Sequence, residues 1–311
     1  MILTDFSQIA LAAIHVDSMA QDCAKNPCDE NRNLIKHFMI NSIRSNFNTQ
    51  KAKYGQMVIA ADSHSWRRDA FPNYKCQRRA AKKKDDSGIH WDFVFSVVDE
   101  LILDLETKFP FPTIRVHGAE GDDIIAVLTK HITNNPSGEV DLFGDPEIEP
   151  IVILSSDRDN FQLHKYKNVR QFSPRDKKLI KPEVSWRQSL LEKIVKGESG
   201  SSSDSIPNIR MPDDTFVTGT RQKPIAQKYL DQFYANKTNP IDECATEEER
   251  TNFIRNEMLV SYDKIPDDVA QSIILRYNEQ VSKKHSKMEL MSYFTSNRMS
   301  TLLGSITDFY K

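Results

Sequence analysis

Val116-His117-Gly118-Ala119-Glu120-Gly121-Asp122-Asp123 and Ser155-Ser156-Asp157-Arg158-Asp159 share one feature, acids placed directly after a short β-type run, and that feature decides the fold. The runs in question are 113–116 and 151–154. Working outward, the run 2–4 is followed by Asp5 and the run 57–61 by Asp62, while 169–172 reads as a weaker fifth strand. Between them lie helical periods at 8–19, 33–46, 91–108 and 122–131. Strands alternating with helices indicate an α/β unit, a parallel sheet flanked by helices on both faces with right-handed crossovers. Beyond 186 no strand pattern remains and helical patterns recur at 186–196, 222–234, 247–258 and 267–280. The chain is therefore expected to divide into an α/β part, 1–185, and a helical part, 186–311. Two stretches rich in Gly, Pro, Ser or acids, 134–150 and 197–212, read as exposed loops. No internal repeat is visible.

In an open parallel sheet the ligand site lies beyond the carboxyl ends of the strands. Here those ends carry Asp5, Asp62, Glu120 with Asp122 and Asp123, and Asp157 with Asp159; Glu198 and Asp204 follow in the later loop. Any one acid at a strand end is ordinarily a turn residue or a helix N-cap. Four consecutive strand ends carrying acids are harder to explain that way. Converging carboxylates repel one another and lose hydration, so a cluster makes physical sense chiefly around hard cations, magnesium or manganese. Two such ions could activate water and neutralise the leaving oxygen of a phosphodiester. Glu120 and Asp123 stand three apart and can share one helical face, and Asp157 and Asp159 can point the same way from an extended exit.

The 311 residues exceed the usual size of one compact core, which favours two domains. Lys plus Arg total 42 against 44 Asp plus Glu, so any nucleic-acid partner must be argued from local clustering. Such a cluster exists between 67 and 84. It holds Arg67, Arg68, Lys75, Arg78, Arg79, Lys82, Lys83 and Lys84, with Trp66, Phe71 and Tyr74 interleaved. A basic run is ordinarily a solvated helix face, but its place after the Asp62 strand favours phosphate contact, with aromatics offered for base stacking. A second stretch, Lys283, Lys284, His285 and Lys287, is less diagnostic. Four cysteines without paired CxxC spacing suggest neither a zinc site nor a disulfide framework and fit a reducing compartment. The early apolar run 9–14 is too short to span a bilayer and lacks a basic flank, so a cytoplasmic protein without membrane contact is expected. Walker, dinucleotide, HExxH and nucleophile-elbow signatures are missing.

The two motifs quoted at the outset, with Gln162-Leu163 after the second, resemble those of the 5′ nuclease superfamily, which includes flap endonucleases and polymerase-associated 5′ exonucleases. The likeness is in particular to its T-even phage ribonuclease H branch. It extends through Asp5-Phe6-Ser7-Gln8-Ile9-Ala10-Leu11, Trp66-Arg67-Arg68-Asp69, Gln162-Leu163-His164-Lys165-Tyr166 and Ile265-Pro266-Asp267. It implies a PIN-like nuclease core and a helix-turn-helix-like element gripping duplex DNA. It also implies two Mg2+ ions, replaceable by Mn2+, held by Asp5, Asp62, Glu120, Asp122, Asp123, Asp157 and Asp159, with Glu198 and Asp204 serving the second ion. The region 63–90 would form an arch over the metals, and Tyr74, Lys75 and Arg78 are the candidates for the scissile phosphate. The implied activity is 5′ to 3′ exonuclease and flap cleavage on DNA and RNA–DNA duplexes, removing primers during phage replication in an infected bacterium. A monomer with a phage single-stranded-DNA-binding protein as partner is expected. A sliding clamp is not, because the chain begins almost directly at its first strand. The departure lies at 197–207, where relatives carry Gly-Asp-x-x-Asp. Either Glu198 replaces the first aspartate with a three-residue serine insertion, or Ser201 stands in its place; both registers keep Asp204. Three rival readings are a junction-binding protein that does not cut, a single-strand ribonuclease of the PIN type, and a dehalogenase-like phosphatase, which would need a first-strand DxD where this chain has Asp5-Phe6-Ser7.

Overall fold

The computed structural model describes residues 1–136 and 148–310. Its chain order begins β1 (Ile2–Asp5), α1 (Phe6–Val16), α2 (Ser18–Lys25), α3 (Asp29–Tyr54), β2 (Met57–Ala60), α4 (Trp66–Ala70) and α5 (Cys76–Lys82). It continues with α6 (Trp91–Lys108), β3 (Thr113–Ile114), α7 (Gly121–Asn134), β4 (Ile151–Leu154), β5 (Val169–Ser173) and β6 (Lys178–Ile180). The rest is helical: α8 (Trp186–Lys196), α9 (Thr215–Thr218), α10 (Gln227–Ala235), α11 (Glu247–Val260), α12 (Asp267–Ser282), α13 (Lys287–Ser296) and α14 (Ser300–Gly304).

The sheet order is β3-β2-β1-β4-β5-β6, parallel except for β6, which returns antiparallel against β5. The strand at 178–180, three residues long and mostly exposed, is too short to show an alternation in the sequence. The expected loop 134–150 lies partly outside the described residues. Successive side chains of the central strands point to opposite faces, which explains their unbroken apolar runs. Ile2, Met57, Ile59, Val152 and Leu154 face α1, α3 and α6; Leu3, Val58, Ala60, Ile151 and Ile153 face α7 and α12. The first helix ends at Val16 rather than running to 19, because Asp17 accepts from the amides of Met19 and Ala20 and caps a new helix.

Beyond Trp186 the helices belong to two different cores. Leu191, Ile194, Val195, Leu230, Phe233, Phe253 and Leu259 of α8, α10 and α11 enclose a core of their own. The last helices instead return to the α/β layers. Val269 and Ile273 of α12 pack with α7, while Tyr293, Phe294 and Phe309 surround Phe109, the residue that ends α6, edge to face. Asp104 of α6 secures this return, accepting from Lys36, Lys108 and Tyr293 at 3.0, 2.7 and 3.0 Å. Among the described residues no helix is long and apolar enough to cross a membrane.

Candidate functional site

In strand order 3-2-1-4-5 the chain reverses direction across the sheet between β1 and β4, which opens a crevice beyond their carboxyl ends. A cavity of about 160 Å³ fills it. Asp5, Asp62, Glu120, Asp122, Asp157, Asp159 and Asp204 line the cavity, with Lys75, Arg78, Tyr74 and Tyr262 among the remaining walls. Each acid is held there by local structure. Asp5 caps α1, accepting from the Gln8 amide at 3.1 Å. Asp62 accepts from the Ser7 hydroxyl at 2.5 Å and from the Gly121 amide at 2.7 Å. A Cβ on Gly121 would lie 3.3 Å from both the Ala60 carbonyl and the Asp62 carboxylate, so the absent side chain permits this approach. Asp122 accepts from Asn160 at 3.1 Å, and Asp157 caps the 3₁₀ turn Arg158–Lys165 through the Asp159 amide at 2.9 Å.

Two of the acids expected at a metal do not line the cavity. Asp123 is fully buried, paired at 2.8 Å with Arg67 and accepting from the Glu120 amide at 3.1 Å. Glu120 and Asp123 do share a face, but as the two ends of a reciprocal capping box. Glu198 also stands aside. It pairs with Ile206 in a backbone bridge and accepts from the Asp204 amide at 2.9 Å, closing the serine loop that presents Asp204. Gly197 starts that loop at φ 62°, where a Cβ would fall 2.2 Å from the Ile206 carbonyl; no other residue fits.

The basic segment divides into inward and outward groups. Arg67 is buried, donating to the Leu259 carbonyl at 2.7 Å as well as to Asp123, so it is a brace rather than a nucleic-acid contact. Arg79 is spent on the backbone, donating to the carbonyls of Tyr74 and Pro72. Phe71 and Tyr74 are only 3% and 2% exposed and belong to the helical core, which removes them as stacking surfaces. The Tyr74 hydroxyl donates to Glu120 at 2.8 Å. Lys75 pairs with Glu120 and lies 3.7 Å from Asp204, and Arg78 lies 3.7 Å from Asp204. Arg68, Lys82, Lys83 and Lys84 are exposed. The segment is two short helices pinned to the serine loop through Lys75 to Asp204, Gln77 to Ser205 and Arg78 to Ser202.

Electrostatically the cavity has two sides. Burial, then repulsion from Asp62, pushes the Asp5 carboxyl up to about 7; burial and Asp159 push Asp157 to about 6. Burial and then Asp157 hold Asp122 well above the carboxylate range. Asp204 goes the other way. Burial would raise it, but Lys75, Lys193 and Arg78 more than offset that and hold it low. Lys193, unremarked in the sequence, lies 2.5 Å from Asp159, 3.3 Å from Glu198 and 3.8 Å from Asp204. A lysine in the last turn of a helix is ordinarily a partner of the helix dipole, so nothing in the sequence singles this one out. Tyr262 was also missed: its hydroxyl is buried without a hydrogen-bond partner, its proton held tightly by burial and then by Asp122.

An all-oxygen donor set whose members repel one another fits a hard divalent cation. Among the described residues no three acidic, histidine or cysteine side chains yet stand close enough to share one ion. The carboxylates ring the cavity rather than meet at a point.

Three comparisons bear on the arrangement. Residues 2–193 match the family model for the 5′-3′ exonuclease N-terminal resolvase-like domain, and residues 185–309 match that for the T4 RNase H C-terminal region. The chain is 32% identical to ribonuclease H of enterobacteria phage T4 over 317 residues, covering 99% of this chain and 95% of that protein. Among solved structures, the zinc-bound 5′-exonuclease of phage T5 aligns with a TM-score of 0.57 at 14% identity, over 91% of this chain and 99% of the other. The phage T5 flap endonuclease in a pseudo-enzyme-product complex with DNA and metal ions also gives 0.57, at 15% identity and the same coverage. At such identities these two structures speak for the fold alone.

Proposed function

Because the chain belongs to the 5′-3′ exonuclease family, as a relative of T4 ribonuclease H along its whole length, we propose that this cavity hydrolyses phosphodiesters at 5′ ends and flaps with Mg2+ bound. The observation that carries the reading is the seven carboxylates on one cavity at the sheet's switch point, faced by Lys75 and Arg78. Asp5, Asp62, Asp122 and Asp157 would hold a first ion, and Asp159 and Asp204 a second, with Glu120 between. A divalent cation bound there supplies Lewis-acid polarisation of the phosphodiester and a more acidic water.

The chain's own residues account for the rest. Lys75 and Arg78 project into the cavity mouth and offer charge-assisted donors to phosphate oxygens. Tyr74 and Lys75 keep Glu120 turned toward the cavity, and the Arg67–Asp123 pair fixes the start of α7 from which Glu120 and Asp122 project. Arg68, Lys82, Lys83 and Lys84 supply a sequence-independent attraction for the backbone of DNA or an RNA–DNA duplex, one that weakens with salt.

A 5′-labelled flap substrate tests the proposal. Cleavage near the junction is expected with Mg2+, none in EDTA, and a loss of about 10³-fold or more in Asp157→Asn, as expected when an ion ligand is removed. Binding of the junction without cleavage in Mg2+ or Mn2+ would replace the enzyme with a junction-binding protein.

A further inference from the structure

Among the described lysines, Lys193 alone pairs with three carboxylates. Its ammonium sits among three carboxylates, Asp159, Glu198 and Asp204, which come from three separate pieces of chain: the 3₁₀ turn after β4 and the two ends of the serine loop. Its side chain is 16% exposed, and it donates to both Asp159 oxygens at 2.7 and 2.5 Å. An ammonium ion has three donors and no acceptors, and here they are directed at oxygens that a second hard cation would also require. Across the cavity, Asp5, Asp122 and Asp157 form no ion pair with any described residue.

We infer that Lys193 is a built-in cation that occupies the second-ion half of the cavity until a substrate phosphate draws it away, so that the second divalent ion and the nucleic acid bind cooperatively. The inference rests on the metal-dependent reading above and adds an order of events to it. Two positive charges cannot share one small carboxylate group without strong mutual repulsion. A second ion entering the DNA-free chain must therefore displace the ammonium, whereas the first ion meets no such competitor. A phosphate reaching Lys75 and Arg78 would lie close enough to offer Lys193 a new anionic partner, and the vacated carboxylates would then accept the ion. A free chain would thus hold one ion firmly and avoid a fully charged site when nothing is there to cut.

A lysine that merely pins α8 to the 3₁₀ turn would also make these contacts, so the test needs a readout that pinning does not move. Mn2+ binding to the full-length, DNA-free chain, followed by electron paramagnetic resonance of the free ion, supplies one. The wild type is expected to bind one ion tightly and a second at least tenfold more weakly; Lys193→Met should tighten the second at least tenfold and leave the first unchanged. Lys193→Arg, which keeps the charge, should resemble wild type. In the melting curve, Lys193→Met should lower Tm in EDTA and gain more than wild type on adding Mg2+; an equal deficit in both conditions would be the signature of simple pinning. Should Lys193→Met not fold, the 13Cε resonance of Lys193 in the wild type, assigned by its absence from Lys193→Arg, should shift with the second equivalent of Mg2+ and not with the first. Unchanged second-ion affinity in Lys193→Met, or a resonance indifferent to the second equivalent, would overturn the inference. A chain that binds no divalent ion at all would instead overturn the metal-dependent reading beneath it.

Discussion

The two sides of the acidic cavity are built from the same side chain and solve the same problem in opposite ways. Asp159 and Asp204 are neutralised by the protein's own Lys193, Lys75 and Arg78, so Asp204 ionises readily despite its burial. Asp5, Asp122 and Asp157 receive hydrogen bonds from amides and from Asn160 but form no ion pair among the described residues, and their burial and mutual repulsion outweigh the little that Lys193 offsets at Asp157. A fold optimised for stability alone would not retain the second arrangement. The uncompensated side is where a ligand is needed, and the compensated side shows that the chain could have supplied cations and did not.

The sharpest way to break the comparison is Asp5→Asn. Asparagine keeps the cap on α1 while removing one repelling charge. Nuclease activity should fall by about 10³-fold or more, as for loss of an ion ligand, while the EDTA form should gain on the order of 2 kcal/mol. A lower melting temperature in EDTA than wild type would show that the cluster is not frustrated.

The opposite extreme is the Arg67–Asp123 pair, buried with its two charges matched at 2.8 Å. Arg67→Met strands the Asp123 carboxylate and should cost about 3–5 kcal/mol, read by urea unfolding. Adding Asp123→Leu should recover much of that loss. A single substitution costing under about 1 kcal/mol would mean that Asp123 finds water or another donor.

The difference should also appear in pH dependence without mutation. Asp5 and Asp157 have raised pKa values in the fold, so the folded state binds more protons than the unfolded one between about 4 and 7, and the metal-free chain should lose stability as pH rises through that window. Asp204 is lowered, so its contribution is present above the usual carboxylate range and lost as pH falls through its folded value. Asp104 is lowered too, burial being outweighed by Lys108 and Lys36, and it adds to the loss on the acid side. Chelator-treated protein should thus be most stable at mildly acid pH and lose stability toward pH 8, and saturating Mg2+ should flatten the alkaline limb. A metal-free optimum at pH 8 would remove the distinction between the two sides.

The comparison also explains what could be read from the sequence. Strand-end acids were legible because strand ends in a parallel sheet converge on one place, and topology does the rest. What one acid does there was not legible. Asp122 and Asp123 are adjacent, yet the helical turn sends one into the cavity and the other into a capping box, and the spacing that singled out Glu120 with Asp123 is equally the spacing of a cap. The basic segment looked uniform because helices of five and seven residues are too short to display a period, so the inward Arg67 and Tyr74 could not be separated from the outward Lys82 to Lys84. Lys193 and the return of Tyr293, Phe294 and Phe309 to Phe109 are contacts across long sequence separations, for which local pattern holds no signal.

The smallest expected effect concerns Tyr262, which stands on the uncompensated side. Its ring separates the acidic cavity from a second cavity of about 300 Å³ lined by α7 and α12, and its hydroxyl has no partner. A buried phenol that donates to nothing has lost its water without replacement, so removing the oxygen should stabilise rather than destabilise the metal-free chain, by about 1 kcal/mol. Tyr74 provides the internal control, because its hydroxyl donates to Glu120 and Tyr74→Phe should move the other way by a similar amount. Both substitutions keep the ring and its packing, so their difference in urea midpoint reports the hydroxyls alone. Equal losses for the two would mean that Tyr262 has a partner after all, and that the uncompensated side is better satisfied than its carboxylates suggest.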